Sequence, residues 1–153
     1  MGSNKKQDPQ AAEEETPQHT LPLPGYYISR YPVTVAQFRA FIKESGHDPQ
    51  DRDCLRALDT YPVVNITWHE ALKYCQWLTT QLRAWQKTPE PLATLLRKEG
   101  WEVTLPSEAE WEKAARGREG WIYPWGNDWR EDHANTAEAG IGRPSAVGSF
   151  PQG

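Results

Sequence analysis

The chain has 153 residues, a length that suits one domain with a tail, and carries a formal net charge of −4 with a sequence pI of about 5.6. That balance gives no electrostatic drive toward nucleic acid, whose binders present basic faces. No apolar run approaches the roughly 20 residues that a membrane-spanning helix needs.

Residues 1–20 contain no Leu, Ile, Val, Phe, Tyr or Trp. Such a segment buries too little apolar area to offset its ordering entropy, so residues 1–24 are expected to be a disordered tail or linker. It lacks the apolar core of a signal peptide. Its start, "MGSNKK", loosely resembles a myristoylation signal, but Lys6 stands where Ser or Thr is required.

Residues 27–31 have strand-like composition, and Pro32 ends the strand. Thr34 then opens a helix, with Gln37 three residues on as a capping box. Val35, Phe38, Phe41 and Ile42 share one face, and Gly46 supplies the left-handed stop. After a polar connector, Thr67 and Glu70 cap a second helix with the stripe Trp68, Ala71, Leu72, Cys75, Leu78 and Leu82. Cys75 thus faces the core, while Cys54 in the connector is expected to be partly exposed. Two cysteines are too few for a disulfide-stapled scaffold and point to a cytoplasmic home.

Residues 81–100 form a charged stretch in which "PLATLLRKEG" predicts one short extra helix. Residues 101–105, "WEVTL", predict a brief strand. Ser107 and Glu110 make a third capping box, Trp111, Ala114 and Ala115 share a face, and Gly117 ends that helix. Trp111 is expected to anchor an aromatic core, for the chain has eight tryptophans.

Beyond Gly117 the sequence is rich in Gly, Pro, Asn, Asp and Trp, so long loops are predicted. Trp121, Tyr123, Trp125 and Trp129 have two readings: the lining of a ligand groove, or a packed cluster under the "YPWG" turn. His19, His47, His69 and His133 show no metal-ligand spacing, and neither a G-x-S-x-G elbow nor a nucleotide loop occurs.

The pieces "YYISRYPVTVAQFRAFI", "YPVVNITWHEALKYCQWL", "LPSEAEWEKAARG", "YPWGN" and "ANTAEAGIGRPSAVGSFP", in this order, resemble the formylglycine-generating enzyme (sulfatase-modifying factor) family. The resemblance implies an α+β fold, the family's variant of the C-type-lectin-like fold, with few short strands, about three helices and long loops. Residues 25–153 would be the N-terminal part of such a domain. In the family a second half follows, with "GNVWEW"-like and "RGGSW"-like segments and the copper-binding cysteine pair of the oxidases. The fold is therefore expected to be C-terminally incomplete here. Residues 81–100 look inserted relative to the family, as a surface elaboration.

The same resemblance implies a structural calcium site. Asn135 would give its side-chain oxygen, and Thr136 and Ile141 their carbonyls. The family's acidic ligand falls on Ala139, with Glu138 adjacent. The alternative is that Asn135 and Thr136 cap a turn through local hydrogen bonds. Cys54 and Cys75 do not match the copper positions, so copper is expected only with a complementing C-terminal half.

Two functions are implied. One is a noncatalytic scaffold or ligand- or protein-binding module. The other is the N-terminal half of a split or cleaved copper-dependent oxidase. Iron-dependent sulfoxide synthases share the domain but take their iron histidines largely from another, helical domain, so they are the least expected of the three relatives. The expected partners are a complementing C-terminal chain or a second copy, and a protein or peptide ligand. Binding of a hydrophobic dye is expected with them.

Overall fold

A computed structural model describes residues 1–6 and 8–153. It contains four α-helices, α1 (Val35–Ser45), α2 (Trp68–Ala84), α3 (Leu92–Lys98) and α4 (Glu108–Arg116), with 3-10 turns at Glu13–Glu15, Arg52–Leu55 and Glu131–His133. Among the described residues no strand forms. Two isolated bridges, Thr34 with Pro62 and Tyr123 with Gly126, are the only ladder contacts among those residues.

The chain divides into two compact units. One comprises Met1–Arg30, Pro106–Gly142 and Phe150–Gly153, the other Tyr31–Leu105 and Arg143–Ser149.

In the second unit, α1 begins at the predicted cap. Thr34 Oγ1 accepts from the Gln37 amide and Gln37 Oε1 accepts from the Thr34 amide. The preceding amides of the first turn are met from the loop before α2: Val35 N–H donates to Tyr61 O and Ala36 N–H to Asp59 O. Gly46, at φ +71°, closes the helix in the left-handed conformation. Arg39 reaches Asp59 as an ion pair across the same junction.

The core is aromatic, built on Phe38, Phe41 and Tyr74 with Cys54 and Cys75. Phe41 lies 5.3 Å from Phe38, edge-on to Tyr74 at 5.7 Å and 5.6 Å from Trp77. Such tilted and T-shaped contacts suit the ring quadrupoles. Burial, then the neighbouring Cys75, pushes the Tyr74 hydroxyl up to about 12.

The tryptophan-centred core is corrected here. Trp77 packs against the core, but Trp68, Trp85, Trp111, Trp121 and Trp129 are exposed. Trp68, 63% exposed, lies at the first residue of α2, although Ile66 just before it packs against the core. Helical phase gives a candidate side of a helix, not what lies opposite each residue on it. Cys54, expected to be partly exposed, is only 1% exposed, because the 3-10 turn carries it inward.

The short extra helix is α3. It joins α2 by reciprocal arginine caps. Arg83 donates from Nε to Leu96 O at 3.0 Å and from Nη2 to Trp101 O at 2.9 Å. Arg97 Nε donates to Arg83 O at 2.9 Å. Arg83 thus serves a carbonyl in the last turn of α3 and Arg97 one in the last turn of α2, where a helix leaves its carbonyls without an intrahelical donor.

Residues 101–105, expected as a strand, are not one. Val103 N–H donates to the Thr79 hydroxyl at 2.9 Å, and that hydroxyl donates to Cys75 O at 2.9 Å. A helix side chain here takes the place of a neighbouring strand. Residues 27–31 likewise join no ladder, and Tyr27, Ile28 and Tyr31 are exposed. β-propensity records fit to a pleated surface and makes no strand without a paired neighbour.

In the first unit, α4 has the predicted box: Ser107 Oγ accepts from Glu110 N–H, and Glu110 Oε2 accepts from Ser107 N–H at 2.8 Å. Its inward face differs from the prediction. Ala109, Glu112 and Arg116 are turned in, whereas Trp111 is 62% exposed and Ala114 is exposed. The reason is polar. Arg116 donates to Trp121 O at 2.7 Å, Gly120 O at 3.1 Å and Ser3 Oγ at 2.9 Å, and Glu112 Oε2 accepts from Gly2 N–H at 3.1 Å.

Those bonds place the first residues against α4. Ser3 and Ala11 are buried, and Ser3 N–H donates to Glu15 O at 2.7 Å. Gly2 sits at φ +78°, where a Cβ would meet Glu15 O at 2.8 Å, so only glycine fits. Among the described residues no helix is long and apolar enough to cross a membrane.

Candidate functional site

Turns, not helices, position the side chains singled out after Gly117. Tyr123 and Gly126 exchange backbone hydrogen bonds of 2.9 and 3.1 Å, closing the "YPWG" turn. Asn127 Oδ1 accepts from Ile122 N–H, and Trp125 Nε1 donates to Asp128 O at 3.0 Å. The result is a ring stack. Tyr123 and Trp125 lie 5.3 Å apart and 8° from parallel, and Trp129 meets Tyr123 edge-on at 5.3 Å.

His133, which the sequence sets just before "ANTAEAG" as a residue to cap a loop, packs on Trp125 at 5.0 Å. Its Nδ1 lies 2.8 Å from Asp132 Oδ1, and this contact holds the Asp132 carboxyl below the usual carboxylate range. Trp121 stays outside the stack and is exposed, with its amide donating to Arg116 O. Three of the four groove candidates are thus brought together, packed on one another.

Gly140 N–H donates to Ala137 O at 3.1 Å and closes a turn within the loop that holds Asn135, Thr136, Glu138 and Ile141. Asn135, Glu138 and Ile141 are exposed. Ile141 and Ala139 line, with Glu131 and Asp132, a shallow open hollow of about 480 Å³. The Thr136 hydroxyl is shielded and has no hydrogen-bond partner, so it does not cap the turn. The Glu138 carboxyl is held below its ordinary range, first by its own backbone amide. The Thr136 hydroxyl adds to this from nearby without reaching hydrogen-bond geometry.

Among the described residues no three His, Cys, Asp or Glu side chains gather as metal ligands. Calcium would depend on the Asn135 oxygen, two carbonyls and the Glu138 carboxylate, fewer than the six to eight oxygens it prefers. Among the described residues the shielded Thr136 hydroxyl is a buried polar group in this loop without a hydrogen-bond partner.

Cys54 and Cys75 are free thiols in the same core cluster. Burial pushes both up, and Cys54 is raised further by Glu70, Asp51 and Asp53. Copper(I) needs thiolates, which this setting disfavours, so the pair does not fit copper.

Spacing marked Glu70 as the cap of α2 but not the His47 and Gln50 that also gather on it. Glu70, buried, accepts from the Thr67 amide and hydroxyl, both at 2.8 Å, and from the Gln50 amide at 2.9 Å. His47 Nε2 lies 3.3 Å from its Oε1, and the imidazole stacks on Phe41 at 5.1 Å. Burial opposes ionisation of Glu70, but these donors outweigh it and lower its pKa to about 2. Glu70 is a structural anchor that ties the α2 cap to the loop after α1.

Capped helices joined by long, tied loops, with almost no strand and an aromatic turn, define a loop-dominated helical domain whose prominent surface groups are indole rings. The chain belongs to the family of sulfatase-modifying factor enzyme 1-like domains, whose family model matches residues 1–152. That match includes the first 24 residues, which composition set apart as a tail.

The chain is 29% identical to the hercynine oxygenase of Mycolicibacterium thermoresistibile over 193 aligned positions, covering all of this chain and 37% of that protein. It is 27% identical to the formylglycine-generating enzyme of Streptomyces coelicolor, covering 91% of this chain and 55% of that one. It is 31% identical to the inactive C-alpha-formylglycine-generating enzyme 2 of Bos taurus, covering 60% and 26%. The chain therefore spans about a quarter to just over half of these relatives. The hercynine oxygenase alignment is longer than this chain's 153 residues, so that relative carries intervening segments that this chain lacks.

Proposed function

We propose that this chain is a noncatalytic formylglycine-generating-enzyme-like domain, a scaffold that binds a protein or peptide ligand. The observation that carries this reading is the placement of its aromatics: Tyr27, Trp68, Trp85 and Trp111 stand exposed, while both thiols are buried in the core. Exposed Trp and Tyr are the usual anchors of binding surfaces. The protein named as inactive among its relatives supports the same reading.

The fold underlying this function is the family's C-type-lectin-like variant, and the free thiols favour a cytoplasmic setting. The partner is a complementing C-terminal chain or a second copy. Calcium, where it binds, is held loosely by Asn135, Thr136, Glu138 and Ile141, at about millimolar affinity given one carboxylate.

The second reading is the N-terminal half of a copper-dependent formylglycine-generating oxidase, which the similarity to the Streptomyces coelicolor enzyme favours. Copper then enters only with a cysteine pair on the complementing half. Incubation of the chain with copper(I), oxygen and a cysteine-containing sulfatase peptide distinguishes the two. The first reading expects no aldehyde, whether or not co-purifying chains are present. Aldehyde formation with a co-purifying chain would overturn it in favour of the second.

A further inference from the structure

Residues 18–23 and α4 border a hollow of about 430 Å³, within the roughly 300–1,000 Å³ range of small-molecule sites. Beside the Met1 ammonium, which donates to His19 O at 2.9 Å, its side-chain charges fall into two groups. Glu112 and Arg116 form a pair at 3.3 Å and are otherwise taken up by Gly2, Ser3 and the loop after α4. They neutralise each other and hold the wall in place.

Lys113 and Arg118 remain. Neither has a carboxylate within ion-pair distance among the described residues, and Lys113 Nζ lies 6.0 Å from the Tyr26 ring centre. Two cations without counter-charge on one rim concentrate anions there. The lining also includes Leu23 and the exposed Leu21. An inorganic anion would leave these leucines wet, and a neutral apolar molecule would gain nothing from the two cations.

We propose that this hollow binds a small organic anion with an apolar arm, its head group held by Lys113 and Arg118 and its arm laid against Leu21 and Leu23. The site needs neither copper nor calcium and stands whichever reading of catalysis holds.

Heteronuclear NMR titration of the full chain with hexanoate tests it, with hexanol and inorganic phosphate as the two halves of the probe. Hexanoate should shift the Lys113, Gly117 and Arg118 amides along a saturating curve that weakens as salt is raised. Replacing both cations, Lys113→Gln with Arg118→Gln, should weaken that binding by about tenfold or more, the usual scale for losing charge-assisted contacts. Leu21→Asp should weaken it as well. Absence of a hexanoate response, equal affinity for hexanol or for phosphate, or unchanged affinity in the double variant would each overturn the proposal. The salt dependence is read on the native chain, so the outcome does not hang on how a variant folds.

Discussion

The two units are organised by different forces. In the unit around α1 and α2, apolar burial does the work: Phe38, Phe41 and Tyr74 interlock, and polar groups such as Glu70 and Thr79 fasten the surrounding loops. In the unit around α4, one guanidinium and one carboxylate, Arg116 and Glu112, gather the first residues and the following loop. The capping boxes repeat the contrast. Both helices use a Glu three residues past a hydroxyl. Glu70 is buried and recruits Gln50 and His47, whereas Glu110 caps its own helix and is lowered mainly by the Ser107 amide. The same local grammar becomes a tertiary anchor only where the fold closes over it.

Phe38→Ala should bring the largest loss, about 3–5 kcal/mol in denaturant unfolding, because it opens a cavity at a fully buried ring. Acid is the next lever. The folded pKa of Glu70 lies below its ordinary value, so its contribution is present above about 4.5 and is lost as pH falls toward about 2. That contribution is roughly 3 kcal/mol at most, from the size of the shift. Glu70→Gln should lose it at neutral pH and flatten the acid limb of a stability-against-pH curve.

Arg116→Ala should cost about 2 kcal/mol, the scale for removing a charged hydrogen-bonding group. Hydrogen exchange should then quicken at Ser3 and His19 while the amides of α2 keep their protection. If α2 loosened equally, the contrast between the units would fail. Trp111→Ala should change stability by no more than about 0.5 kcal/mol, as expected of an exposed side chain. A loss of 3 kcal/mol or more, the scale of a buried ring, would restore the core role first expected of it.

What the sequence determined by itself is local. The three capping boxes, the glycine stop at Gly46, the short helix before Gly100 and the core-facing Phe38, Phe41 and Cys75 follow from spacing, since a helix end is satisfied by residues three or four apart. The loop residues Asn135, Thr136, Glu138 and Ile141 came only from family resemblance, and no spacing rule marks the shielded Thr136 hydroxyl. Tertiary structure alone decided that Trp68 and Trp111 face water, that Cys54 is buried beside the rings, that Thr79 replaces a strand and that Arg116 draws Ser3 to α4. The physical reason is reach. Periodicity assigns a side chain to one side of an element, but burial and long-range hydrogen bonds depend on what lies opposite, and that can be set by a residue 113 positions away, as Ser3 is from Arg116.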